Sequence, residues 1–245
     1  MKIATWNLGY MSPGSHKGKT AEAFKYFFEE IEADFHFFQE GGIEPLNQYE
    51  AKCQFERIDY VKGAITGIYS KNHKLEKMVF EKPSLPGSFC CIHTNNVCLT
   101  SLYAMTEYLN GQNLIYYMGN LHKIFSDLGS TLWGRGKKFD WYLIGGDFNT
   151  DPSYPSNTKL QLDDIQLFED RVKLFNLFNC NKERGIKDGT YRTNRGNKYQ
   201  LDYFYLSNHM KDKIRNMHVV DNATVESLSD HYPVIMELDA GWRGR

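Results

Sequence analysis

"YLIGGDFNTDP", residues 142–152, is the stretch on which the reading of this chain turns. Apolar residues climb into Gly145-Gly146. Asp147, Asn149 and Asp151 follow at every second position, and Pro152 closes the run. A strand ending in a turn accounts for it, because Gly, Asp, Asn and Pro are the usual turn residues. A functional site accounts for it equally well, because ligands and catalytic groups gather where strands end. On an extended chain Asp147 and Asn149 point the same way. The paired glycines are expected to leave room for an approaching phosphate, and Asp151 reads as a turn residue. The stretch alone does not choose between the two readings.

The chain has 245 residues, within the range of one large domain, and no Pro/Ser/Gly-rich linker, internal repeat or low-complexity tract divides it. One domain over residues 1–245 is expected, and 41% hydrophobic residues suffice for its core. A net charge of −1 excludes a uniformly basic nucleic-acid binder, so any such contact rests on local patches. The start "MKIATWNLGYM" lacks the apolar run of a signal peptide, and no stretch is long enough for a membrane span. The five cysteines (53, 90, 91, 98, 180) show no CxxC spacing. Adjacent Cys90 and Cys91 suit opposite faces of a strand. All five read as reduced, buried thiols of an intracellular, cytoplasmic protein, and no protein partner is inferable.

Along the chain, "KIATW" (2–6) reads as a strand. Ala21, Phe24, Phe27, Phe28 and Ile31 then recur at helical spacing, with Thr20 as N-cap. "DFHFFQE" gives a second strand ending at Glu40, which completes a β-α-β unit whose strand ends carry Asn7 and Glu40 side by side. Strands are expected at 64–71, 78–82, 88–94 and 97–104, with Asn95-Asn96 as a hairpin turn. Leu114, Tyr117, Met118, Leu121, Ile124, Phe125 and Leu128 mark a helix. After "GRGKK" (134–138), placed at the end of the sheet away from any site, comes the strand into Asp147. Ile165, Phe168, Val172 and Phe175 mark a further helix. "GTYRT" and "KYQLDYFYLS" read as strands joined by "NRGN", and "SDHYPVIMEL" as a polar turn feeding a last strand. The fold class expected is α/β: a four-layer sandwich, two packed mixed β-sheets flanked by helices.

Asn7, Glu40, Tyr103, Asp147, Asn149, Asp202, Asp230 and His231 end or interrupt apolar strands, where an unpaired polar group costs a few kcal/mol. Each alone has a bland explanation as a loop start, an exposed strand position or a turn. Their number, and their restriction to oxygen-ligand and acid/base types, does not. Glu40, Asp230 and the Asn7 amide offer hard oxygens for Mg²⁺ or Mn²⁺, and a metal there neutralises phosphate charge. Asp147 and Asn149 suit activation and orientation of a water. His231 suits donation to phosphoryl oxygens, with Asp202 fixing its tautomer. The chemistry implied is metal-assisted phosphoester hydrolysis.

With "ATWNLG" (4–9), "FFQEGG" (37–42), "LTSLYA" (99–104), "LIGGDFNTDP" (143–152), "YQLDYFYLS" (199–207) and "SLSDHYPV" (227–234) in this order, the chain resembles the endonuclease/exonuclease/phosphatase superfamily. This is the fold of pancreatic DNase I, exonuclease III and the abasic-site endonucleases. The resemblance implies a DNase I-like fold, with Asn7 and Glu40 at the metal and Asp230 beside it. It implies that Asp147 and Asn149 handle the nucleophilic water and a phosphate oxygen, that Asp202 pairs with His231, and that the phenol of Tyr103 contacts the scissile phosphate. Gly9 stands where abasic-site endonucleases often carry an acid or amide, and "AMTEYLNGQN" (104–113) supplies no arginine shortly after Tyr103, which weakens a match to that branch. The Cys-Asp-Arg-type motif of the inositol phosphatases is absent.

Arg192, Arg195 and Lys198 precede Asp202, and Tyr199 lies three positions before it. His16, Lys17 and Lys19 follow Asn7. These are candidate phosphate clamps and a stacking surface; a solvated loop and hairpin tip is the plain alternative. The tyrosines around 103–117 are read as packing residues. The expected function is a Mg²⁺- or Mn²⁺-dependent nuclease on DNA or RNA. Hydrolysis of a small nucleotide-like phosphoester is one alternative, and a catalytically inert binding module is another.

Overall fold

The computed structural model describes residues 1–11, 18–58, 62–105, 118–134, 139–155 and 157–239. Two mixed six-stranded sheets face one another. The first runs β13 (Ile214–Val219), β14 (Val234–Leu238), β1 (Lys2–Asn7), β2 (Phe35–Gly42), β4 (Ala64–Tyr69), β3 (Cys53–Arg57). The second runs β5 (Glu76–Lys77), β6 (Phe89–Thr94), β7 (Val97–Tyr103), β8 (Trp141–Asp147), β12 (Asp202–Ser207), β9 (Leu177–Asn179). A two-stranded ladder of β10 (Tyr191–Arg192) and β11 (Lys198–Tyr199) stands apart from both.

Period-two patterning builds the layers. In β1, Ile3 enters the core between the sheets, while Ala4 and Trp6 turn outward beneath helices. The inter-sheet core joins Phe35, Phe37 and Ile68 to Cys90, Leu99, Leu143, Phe204 and Leu206. Helix 20–25, its wider-turned continuation 26–30 and helix 223–228 cover the first sheet through Phe24, Phe27, Val225 and Leu228. Helices 118–127, 129–132 and 159–174 cover the second through Leu121, Phe125, Phe168 and Val172. This is the four-layer sandwich expected. Cys90 and Cys91 lie on opposite faces of β6, and all five cysteines are free and buried.

The connectivity positions the site. β1 and β2 are parallel, as are β7 and β8, and every other pairing within the two sheets is antiparallel. The parallel pairs therefore deliver Asn7, Glu40, Tyr103 and Asp147 to one end of the sandwich. Antiparallel β12 begins at that end, with Asp202 opposite Asp147. Antiparallel β14 begins there too, with Val234 opposite Thr5, which leaves Ser229–His231 beside Asn7.

Several expectations change. Thr20 is the first helical residue, not the N-cap; Lys19 takes that position without a side-chain bond. The strand expected at 78–82 is not formed; a two-residue strand, Glu76–Lys77, lies just before it, and Lys82 is left-handed (φ 51°) ahead of Pro83. Strands β3, β9 and β13 and helix 223–228 carry too few consecutive apolar residues to stand out in the sequence. The Asn95-Asn96 turn is as expected, with φ of 43° and 63° at its two residues. Leu114, Tyr117, His16, Lys17 and residues 135–138 of "GRGKK" lie outside the described residues.

Candidate active site

Asn7 is the hub. Its Nδ2 donates to Glu40 Oε1 and to Asp147 Oδ2, both at 2.9 Å, so one amide bridges a carboxylate from each sheet. Its Oδ1 accepts from the Gly9 N–H at 2.9 Å, which fixes the orientation of the amide. Glu40 is aimed by its backbone. The β2–β4 register slips between Phe38 and Gly41, and Glu40 takes φ 47°, a left-handed conformation uncommon for a residue with a Cβ. The bulge turns its carboxylate back to Asn7 and to the Met11 N–H at 3.1 Å.

Asp147 and Asn149 do meet, though not by strand alternation. β8 ends at Asp147, and Asn149 is left-handed (φ 50°). That turn lets Asp147 Oδ1 accept from the Asn149 N–H at 2.9 Å, and Asp147 Oδ2 from Asn149 Nδ2 at 3.1 Å. The glycines also have a different reason from the one expected. A Cβ on Gly145 would strike the Phe204 ring at 2.4 Å, and one on Gly146 would lie 1.9 Å from the Leu102 carbonyl oxygen. Both keep the sheets and strands close rather than opening space for a phosphate. Asp151 is a clamp, accepting from the Ser153 and Gln200 N–H groups at 2.7 Å each.

His231 faces Asp147 from the opposite wall. Its Nδ1 lies 2.9 Å from Asp202 Oδ2, and its Nε2 lies 3.9 Å from Asp147 Oδ2. With Asp202 as acceptor, Nδ1 carries a proton. Ser229 sets the backbone, donating to the Asn7 carbonyl at 2.8 Å and accepting from the His231 N–H at 3.1 Å. Trp6 Nε1 donates to the His231 carbonyl at 2.8 Å. Asp202 is fully buried, and its Oδ1 has no hydrogen-bond partner.

Burial raises the proton affinity of Asp147 and Glu40. Burial alone would lower that of His231, but the carboxylates of Asp202 and Asp147 together outweigh it and hold the imidazole above its ordinary value. The half-buried Asp230 acts electrostatically on Glu40 and His231, and its carbonyl accepts from the Arg192 N–H at 2.8 Å. Tyr103 ends β7 opposite Asp147, and its ring packs with Ile58 and Ala64.

The expected substrate residues divide. Arg192 Nη1 pairs with Glu226 at 3.1 Å, and Lys198 Nζ with Asp221 at 2.5 Å while lying over the Tyr232 ring. Arg195 and Tyr199 line a groove of about 380 Å³ with Tyr154, Tyr191, Asn194 and Asn197. Lys19 donates to the Ser227 carbonyl. Sequence reasoning missed Tyr191, whose ring centroid lies 4.9 Å from that of His231. It also gave Ser229 no role, although the "SDH" run contained it.

Two overlapping donor sets in this site have the chemistry to bind a dication or handle a proton. Asp147, Asp202 and His231 have mutually close ligand atoms, within 4.8 Å, but the Asp202–His231 bond already occupies Nδ1. The oxygens of Glu40 and Asp147 around the Asn7 amide, with Asp230 nearby, are the harder set.

The two-sheet arrangement defines the class of fold: a DNase I-like four-layer sandwich. Among solved structures, the chain is similar to an AP endonuclease from Archaeoglobus fulgidus, with TM-score 0.72, 14% identity and coverage of 98% of this chain and 100% of that one. It is similar to the 3' phosphatase NExo from Neisseria bound to a product DNA hairpin, with TM-score 0.70, 15% identity and coverage of 98% and 99%. It is also similar to the AP endonuclease LMAP from Leishmania major, with TM-score 0.68, 14% identity and coverage of 97% and 87%. No protein-family model and no curated protein sequence matches the chain.

Proposed function

We propose that the protein is a metal-dependent nuclease that hydrolyses phosphodiester bonds in DNA or RNA. The observation that carries this reading is the single hydrogen-bonded array Glu40–Asn7–Asp147–Asn149, facing the Asp202–His231 pair across 3.9 Å. The neighbours that act on DNA support nucleic acid as the substrate.

Asp147 accepts the proton of the attacking water, with the Asn149 and Asn7 amides fixing its carboxylate. Burial, which raises its proton affinity, suits it to that task. His231 presents Nε2–H to a phosphoryl oxygen, while Asp202 holds Nδ1 and keeps the ring charged as negative charge grows on the phosphorus oxygens. Tyr103 closes the wall on the Asp147 side. Arg195, Tyr199 and Tyr191 offer a cation and stacking faces to the strand, with Arg192 and Lys198 contributing from the same ladder.

The residues fit a divalent cation. Glu40 and Asp147 are buried carboxylates that share one neutral amide, and the facing His231 imidazole does not fully offset their burial, so both keep a raised proton affinity. Glu40 and Asp230 would hold Mg²⁺ or Mn²⁺, while the Asn7 amide, expected as a ligand, turns its NH2 to Glu40 and Asp147 and its oxygen to the Gly9 N–H, and so orients the carboxylates. When bound, the ion supplies charge neutralisation at the phosphate and its leaving oxygen. Among the described residues no helix is long and apolar enough to cross a membrane. Five free thiols suit a reducing compartment such as the cytoplasm.

A small nucleotide-like phosphoester is the second reading. It is favoured by the ion pairs that neutralise Arg192 and Lys198 and by the net charge of −1. Assay of wild type, Asp147→Ala and His231→Ala on bis-(p-nitrophenyl) phosphate, oligonucleotides and mononucleotides tests both. Each change is expected to lower kcat by at least about 100-fold. Undiminished activity in both variants refutes the assigned roles.

A further inference from the structure

Two of the cations expected to clamp substrate on the 192–198 side, Arg192 and Lys198, are tied into ion pairs, so a different side of the centre has to be considered. Across Tyr103 lies a cavity of about 650 Å³, within the range that holds a nucleotide-sized ligand. Its floor is apolar: Ile58, Ala64 and Ile65 are all buried. Its wall is Tyr10, a ring 39% exposed and seated against the backbone of Gly42 and Gly63, where a Cβ would approach it within 3.0 and 2.7 Å. Its rim carries Arg57 and Lys62, both exposed, and the acidic Glu44. No ion pair engages Arg57 or Lys62 among the described residues. Lys77, Lys173, Arg192, Lys198, Lys211 and Arg215, by contrast, each meet a carboxylate.

The cavity adjoins the catalytic array directly. The Tyr10 N–H donates to the Glu40 carbonyl at 3.0 Å, and Met11, next in the chain, donates to the Glu40 carboxylate. Ile58 and Ala64, which line the cavity, also pack on Tyr103, the residue opposite Asp147.

We propose that this cavity is a nucleotide subsite that takes the base and sugar of a residue flanking the scissile phosphate. The subsite rests on the hydrolase reading above for its purpose, and on its own geometry for its ligand. The base lies against Tyr10 over the isoleucine floor, where stacking on an aromatic face is sequence-tolerant. Arg57 and Lys62 meet the adjoining phosphate, for which free cations on a concave rim are suited. A bare phosphate or sugar would leave the apolar floor wet, so the base is the group that selects the site.

The test is equilibrium binding in EDTA, where no cleavage occurs. The probes are a 2-aminopurine-centred pentanucleotide as DNA, the same strand as RNA, a DNA strand with a baseless sugar at the centre, and AMP. Wild type is expected to bind the base-bearing strands at least about tenfold more tightly than the baseless one, with quenching of the 2-aminopurine. AMP binding with the same preference would assign the subsite to free nucleotides, and preference for one strand type would assign the polymer. Ala21→Trp, on an exposed helical position that lines the cavity, is expected to abolish the base preference. Arg57→Ala/Lys62→Ala is expected to weaken all phosphate-bearing probes about tenfold. Equal affinity for base-bearing and baseless strands, or two folded variants that bind as wild type does, overturns the subsite. The binding readout is independent of catalysis. Hydrolysis without base-dependent binding removes the subsite and leaves the nuclease reading, and base-dependent binding without hydrolysis does the reverse.

Discussion

Asp147 and His36 are both buried and titratable, and they show two uses of burial. Asp147 has amide donors and a facing imidazole, and burial raises its proton affinity at the candidate site. His36 sits among Phe27, Phe28 and Tyr69; its Nε2 lies 2.8 Å from the Ile31 carbonyl, and its Nδ1 has no partner. Burial, against smaller opposing effects of that bond and of Asp34, pushes its pKa from 6.5 down to about 4. The unfolded chain therefore binds a proton between these values that the folded chain refuses. The resulting stability is present above pH 6.5 and lost as pH falls towards 4. Urea unfolding at pH 7 and pH 4 is expected to show a loss of about 3 kcal/mol from this group. A His36→Phe variant should lose that much less than wild type over the same interval; an identical acid response in the variant would contradict the assignment. The residues that the fold gathers at the candidate site were legible in the sequence because each polar residue interrupts an apolar run. The means of aiming them was not. Left-handed Glu40 and Asn149 are ordinary letters in the sequence, and only the β2 bulge and the turn after β8 show why their side chains converge.

Strand β8 illustrates how an element serves the site from within. Its final glycine has φ 149° and lies against the carbonyl of Leu102 in parallel β7, a backbone neighbour that cannot swing away. Gly146→Ala is therefore expected to destabilise the fold by about 3 kcal/mol or more. The loss should appear as a lower urea midpoint together with lost activity, because Asp147 is the next residue. A variant with wild-type stability would show that the close approach is not needed. Strands with long apolar runs or a clear turn, such as β1, β7 and β8, could be read directly. The edge strands β3, β5, β9 and β13 could not. Their residues are polar, half-solvated or very few, and pairing rather than sequence pattern makes them strands.

For the molecule as a whole, the two parallel pairs β1–β2 and β7–β8 bring four strand ends to one place, and their antiparallel partners β14 and β12 start there. The sandwich was legible from alternating strands and helices. The fate of the cations was not, because spacing does not reveal that Glu226 and Asp221 reach Arg192 and Lys198 from distant elements. If the shared Glu40–Asp147 cleft holds a dication, Mg²⁺ or Mn²⁺ at 100 times its Kd should stabilise the fold by about 2.7 kcal/mol. Such a gain raises Tm by roughly 5–11 °C in a chain of this size. Glu40→Gln should remove most of that rise, whereas an equal rise in the variant would place the ion elsewhere. The most direct measurement is incubation of wild type and Asp147→Asn with end-labelled single- and double-stranded DNA and RNA, with Mg²⁺ or Mn²⁺ and with EDTA, resolved on a denaturing gel. The expected result is cleavage of at least one polymer by wild type with metal, none in EDTA, and a rate at least about 100-fold lower in Asp147→Asn. Intact polymers under every condition, or equal cleavage by the variant, would contradict the assignment of this site as a nuclease centre.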